Sequence, residues 1–204
     1  MAGYSQNDPA WSRDWLGTSN YWTVGSAGCF VTAGADVLRA FGHDINPGDL
    51  NRLATAQGLI DSNGDVVRFD WLSVLFPDVL QYVEMRDWGD ALADLHYFDI
   101  RNDLDTEIVL MIDDSPAAGM QTHFMRTVGW DGGDNIIVDD SWDAIRKGVN
   151  AYGARWSPPV HAAAIIYKAV KYVRAAAPSP PPEPTPVPAP PVADPTPAPQ
   201  PQPV

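Results

Sequence analysis

From Pro178 to Val204 nearly every second residue is proline, with Ala, Val, Thr and Gln between them and only two charges, Glu183 and Asp194. Such a stretch supplies neither helix nor sheet hydrogen bonds and carries no side chains with which to build a core. It is expected to be a disordered Pro/Ala-rich tail or linker, extended like polyproline. The fold therefore has to come from Met1 to Ala177. That part holds all eight tryptophans and has the length of one domain with a sizeable core.

Within it the clearest strand signal is the run Thr106-Glu107-Ile108-Val109-Leu110-Met111-Ile112. A continuous apolar stretch of that length reads as a central strand buried on both faces. Two further strands, Phe124 to Trp130 and Asn135 to Asp139, flank the hairpin turn Asp131-Gly132-Gly133-Asp134. Val79 to Met85 alternates as a strand does, and Ala162 to Tyr167 adds a last apolar run. Helical spacing comes earlier. Val31, Ala35, Leu38 and Phe41 describe one apolar face, and Asn46-Pro47 reads as a cap with proline in the first turn of a helix ending at Gly58. Phe69 to Leu75 forms a helical turn stopped by Pro77, and Trp88 to Phe98 has helical spacing. Helices first and strands later imply an α+β fold, with a helix packed on a mostly antiparallel sheet.

The formal net charge of −13 is spread as scattered acidic residues, and the only basic stretches are Arg146-Lys147 and Lys168 to Arg174. Nucleic acid and anionic membrane are disfavoured as partners; the acidity reads first as solubility, with favouring a cationic substrate or disfavouring adhesion to an anionic cell wall as alternatives. No basic n-region with an apolar h-region opens the chain, and nowhere do about eighteen apolar residues run together. A monomer made in the cytoplasm without membrane insertion is expected. The alternating oxygens of Asp61 to Asp65 lack the glycine position and distal Glu of a calcium loop, so no metal or other cofactor is assigned.

Cys29 is the single cysteine, so it makes no internal disulfide. It stands in Gly25-Ser26-Ala27-Gly28-Cys29-Phe30, in the first turn of the helix that follows. Unpaired N–H groups and the partial positive charge of a helix start stabilise a thiolate and lower its pKa from about 8.5. Buried packing is the competing use of a free cysteine. A nucleophile needs a base and an orienter for that base. His123 opens a strand after the polar loop Gly119 to Thr122 and is the favoured base. His43 lies at the far end of the Cys29 helix, roughly 20 Å away at 1.5 Å per residue, while His96 and His161 have no linked polar partner in sequence. Asp139, Asp140 and Asp143 compete to hold the histidine. If Trp142 lies opposite His123, alternation puts Asp140 on the histidine's face, and a pairing one residue further on favours Asp139.

Gln6-Asn7-Asp8-Pro9-Ala10-Trp11, Gly28-Cys29 leading a helix, Phe41-Gly42 with Ile45-Asn46-Pro47, His123-Phe124, and Ile137-Val138-Asp139-Asp140 together resemble the papain-like peptidases related to bacteriocin double-glycine leader peptidases. The resemblance implies Cys29 as nucleophile, His123 as base, Asp140 as orienter and Gln6 in the oxyanion hole. It covers most of Gln6 to Asp140. Two features depart from the family: no proline follows Asp140, and Arg126 stands where an apolar residue is usual, either as an exposed strand position or as a carboxylate contact in the cleft.

Similar soluble domains form the amino-terminal catalytic modules of phage endolysins, joined to other domains by proline-rich linkers. The function this implies is hydrolysis of an amide bond in bacterial peptidoglycan, at the cell wall after release. Two alternatives are a papain-like binding or virion protein with little turnover and a cytosolic peptidase that processes a specific protein. Trp11, Trp15 and Trp22 lie near the nucleophile in sequence and would suit stacking on substrate. Most of the eight tryptophans are expected in the core.

Overall fold

A computed structural model describes residues 3–87, 105–131, 135–161 and 164–176. The helical spacing of Trp88 to Phe98, the Gly132–Asp134 part of the hairpin turn and the proline-rich tail lie outside the described residues.

Four helices come first: α1 (Val24–Ala27), α2 (Cys29–Ala40), α3 (Pro47–Ala56) and α4 (Trp71–Leu75). Thr23 and Ser26 cap α1 reciprocally, and the Asn46 side chain accepts from Asp49 N–H at 2.9 Å with Pro47 in the first turn of α3. Both caps are local signals, so the helix starts are legible in the residues that make them.

The expected single apolar face of α2 is too narrow. Every residue from Cys29 to Leu38 is buried, including Thr32 and Asp36. α2 is a central helix, packed against α3, against strand residues Val109, Val170 and Tyr172, and against Trp71 of α4. A Cβ on Gly34 would sit 2.7 Å from the Trp71 ring, so the close approach of α4 to α2 requires glycine there.

Among the described residues six strands make one sheet: β1 (Leu80–Asp87), β2 (Thr106–Asp113), β3 (Thr122–Trp130), β4 (Ile136–Asp139), β5 (Arg146–Gly148) and β6 (Ile166–Arg174), in the order β1-β6-β2-β3-β4-β5. All five pairings are antiparallel. The α+β architecture is therefore as the residue pattern implies. β2 lies inside the sheet with both faces covered, which explains its unbroken apolar run. Val109 meets the helices, while Ile108, Leu110 and Ile112 pack with Met125, Val138 and Tyr152 on the opposite face. Tyr152 belongs to α5 (Asn150–Gly153), part of the segment that covers that second face.

Two further expectations are corrected. The last strand is Ile166–Arg174 rather than the run from Ala162 to Tyr167, so the basic stretch Lys168 to Arg174 is strand. Its insertion between β1 and β2 lets Val170 and Tyr172 complete the core on one face of the sheet and Ala169 the core on the other, with Lys171 between the first two. The short β5 and α5 carry no periodic signal and were not anticipated. Of the seven described tryptophans only Trp71 is fully buried, while Trp15, Trp22 and Trp142 are exposed and the other three are half-buried.

Candidate active site

Cys29 is the first residue of α2 and is buried, 9% exposed. The chain reaches it from α1 through Gly28, where a Cβ would stand 2.5 Å from the Val24 carbonyl oxygen. Glycine is thus needed for the tight passage from one helix into the next, and that passage sets Cys29 at a helix start.

His123 is the second residue of β3 and is 5% exposed. Its Nε2 is 2.6 Å from Asp140 Oδ1, and the ring lines the same cleft as Cys29. Burial pulls the imidazole pKa down, but the Asp140 carboxylate and the Cys29 sulfur outweigh it, and the balance raises it well above the ordinary histidine range. The Asp140 carboxylate beside the ring favours the imidazolium.

The choice between the two aspartates is decided by register. β3 and β4 pair Arg126 with Asp139 and Thr127 with Val138. Continued by three residues, that register sets Trp142 opposite His123, so alternation turns Asp140 toward the histidine and Asp139 to the other face. Asp139 is held instead by Arg146 at 2.9 Å and Arg126 at 3.2 Å. Asp143 pairs with Lys147 at 2.9 Å and accepts from Ile145 N–H.

Four donors converge on Asp140, which is 2% exposed. His123 Nε2 and Trp142 N–H meet Oδ1, the latter at 2.9 Å. Lys147 Nζ, at 2.7 Å, and the Tyr152 hydroxyl meet Oδ2. Burial would raise the carboxyl pKa, yet His123, Lys147 and Tyr152 together hold it well below the usual range. Lys147 and Tyr152 were not anticipated from sequence. They stand on β5 and α5, and nothing in the order of residues announces that both return to the strand end after β4.

Gln6 is 2% exposed and is tied to the same place. Its backbone N–H donates to Ser141 O at 2.7 Å, Asn7 and Ser5 side chains bond Trp142 O, and its Nε2 donates to Gly25 O at 2.9 Å. The amino-terminal segment is thereby strapped to the residues that follow Asp140. One Nε2 proton is left for a ligand, and Oε1 is buried without a partner.

Gln6, Cys29 and His123 line one cleft of about 570 Å3. Trp22 and Trp142 line it too, and so does the turn at Asn63-Gly64-Asp65. Besides His123, Asp65 and Asp114 are charged residues of its lining, and no Lys or Arg lines it among the described residues. Trp15 and Trp11 do not line the cleft. Nor does Arg126, which bonds Glu107 at 2.6 and 2.8 Å beneath α2. It is a carboxylate contact, but beside Asp36 and Arg39 of α2 and away from the cleft. His43 packs on Phe76 at 4.7 Å between ring centroids, away from the thiol.

Comparison with protein-family models, curated proteins and solved structures finds no match to this chain. No helix among the described residues is long and apolar enough to cross a membrane.

Proposed function

We propose that this chain is a papain-like cysteine peptidase that hydrolyses an amide bond through Cys29, His123 and Asp140, with Gln6 in the oxyanion hole. The observation that carries this reading is the buried 2.6 Å contact of His123 Nε2 with Asp140, on a ring that lines the same cleft as Cys29. A buried imidazole paired with a carboxylate in a cleft that also presents a cysteine serves proton transfer better than packing.

In this mechanism the Cys29 thiolate attacks the substrate carbonyl carbon. The Gln6 Nε2–H and the Cys29 backbone N–H stabilise the oxyanion. His123 gives its proton to the leaving amine, which departs as the C–N bond breaks and a thioester remains. A water molecule, deprotonated by His123, then attacks the thioester carbon, the C–S bond breaks to restore the Cys29 thiolate, and the acyl part leaves as a carboxylic acid. Asp140 fixes the ring and supports its charge throughout.

The proposed substrate is bacterial peptidoglycan, cleaved by a phage endolysin module. Support comes from the acidic lining of the cleft, which suits the amine-bearing peptides of a cell wall, and from the proline-rich stretch after residue 177, a spacer by composition. Zymography on purified cell wall with wild type, Cys29→Ala and His123→Ala tests it. Clearing by wild type alone is the expected result. Clearing by all three proteins overturns the cysteine mechanism, and clearing by none overturns the wall substrate. Mass spectrometry of the digested fragments identifies the bond by its new free amine.

A further inference from the structure

Asp140 is shared. Its Oδ1 serves His123 and the Trp142 N–H, and its Oδ2 serves Lys147 Nζ and the Tyr152 hydroxyl. A carboxylate has room for about four such donors, so this one is saturated. Neither Lys147 nor Tyr152 lines the cleft, and neither is placed to touch substrate.

We propose that Lys147, aided by Tyr152, is a positioning residue that withdraws charge from Asp140 and so keeps the His123 proton transferable. This rests on the peptidase reading above. A buried, unshared carboxylate in hydrogen-bond contact with an imidazolium holds its proton too tightly for donation to a leaving amine. A lysine on the other oxygen cancels part of that charge, and the pair then acts on His123 more like a neutral amide than like a free aspartate.

The surroundings fit this division. His123 comes from β3, Lys147 from β5 and Tyr152 from α5, while Asp143 in the intervening turn pairs with Lys147 at 2.9 Å. The Arg155 guanidinium lies 4.5 Å from the centroid of the Tyr152 ring, and Lys147 Nζ lies 5.7 Å from it. Of these groups Lys147 is the only cation bonded to the carboxylate that orients His123. Its side chain is 24% exposed, so its removal leaves a modest gap and no deep cavity.

The test is a titration of the His123 ring, followed by the carbon-bound imidazole protons in NMR and assigned by their loss in His123→Gln. Lys147→Met raises the His123 midpoint by roughly one pH unit, the expected effect of one nearby charge screened as at a protein surface. Tyr152→Phe raises it less, and Lys147→Arg restores the wild-type curve. An unchanged or lowered midpoint in Lys147→Met with native circular dichroism overturns the proposal, as does an Arg variant that behaves like Met. If Lys147→Met does not fold, Lys147→Gln carries the same comparison. Alkylation of the single cysteine by iodoacetamide across pH tests the parent reading separately. A rate profile identical in wild type and His123→Gln removes the Cys29–His123 pair, whatever the Lys147 titration shows.

Discussion

Replacing Asp36 by Asn should make the protein more stable at alkaline pH and leave it little changed in acid. Asp36 lies in the middle of α2 and is 3% exposed. Its Oδ1 accepts from Tyr4 N–H at 2.8 Å, but its Oδ2 is buried with no partner. Burial is the main influence on this carboxyl and raises its pKa from 3.8 to about 7, against the pull of the Tyr4 N–H, Arg126 and Arg39 and with the help of Asp139. The folded state therefore holds a proton that the unfolded chain has already released. Stability from this group is fully present below about pH 4 and is lost as pH rises through about 7. A rise of about three units corresponds to about 4 kcal/mol in total, of which roughly 3 kcal/mol falls between pH 5 and pH 8. The assay is urea unfolding of wild type and Asp36→Asn at intervals across that range, read as the difference between the two curves. Other titrating groups, such as the His123–Asp140 pair, occur in both proteins and cancel in the difference. The variant should gain on wild type steadily toward pH 8. Curves that stay parallel within about 0.5 kcal/mol would refute the reasoning, because the charge under α2 would then cost nothing to bury.

Two further outcomes are expected. Gln6→Ala should lower kcat about 100-fold with KM nearly unchanged, since it removes an oxyanion donor that acts in the transition state; a change confined to KM, measured on an isolated wall fragment, would assign Gln6 to substrate binding. Arg126→Met should cost roughly 3 kcal/mol in urea unfolding, because Glu107, 8% exposed and bonded twice by Arg126, would be left buried without its cation.

Much of the site was legible where chemistry is announced by neighbours in sequence. Gly28 before Cys29, the cap at Asn46 and the alternation through β3 are short-range signals, and they placed Cys29 at a helix start and His123 near a strand end. The choice between Asp139 and Asp140 was not legible. It turns on one residue of register across a hairpin whose pairing shifts between Thr127 and Gly129, and a single-residue slip would exchange the two carboxylates. Tryptophan placement failed for a related reason. Composition measures how apolar a side chain is, while Trp22 and Trp142 are exposed because their backbone positions border the cleft.

By itself the sequence determined an α+β chain with a proline-rich end, a buried central strand and one thiol at a helix start, because periodicity, caps and composition are properties of adjacent residues. Only the tertiary structure decided that β6 enters the sheet between β1 and β2, that Asp139 turns away to Arg126 and Arg146, and that Asp140 is shared by His123, Lys147 and Tyr152. Those outcomes depend on which distant segments meet. That is settled by burying the two faces of the sheet at once and by pairing most of the polar groups the burial encloses.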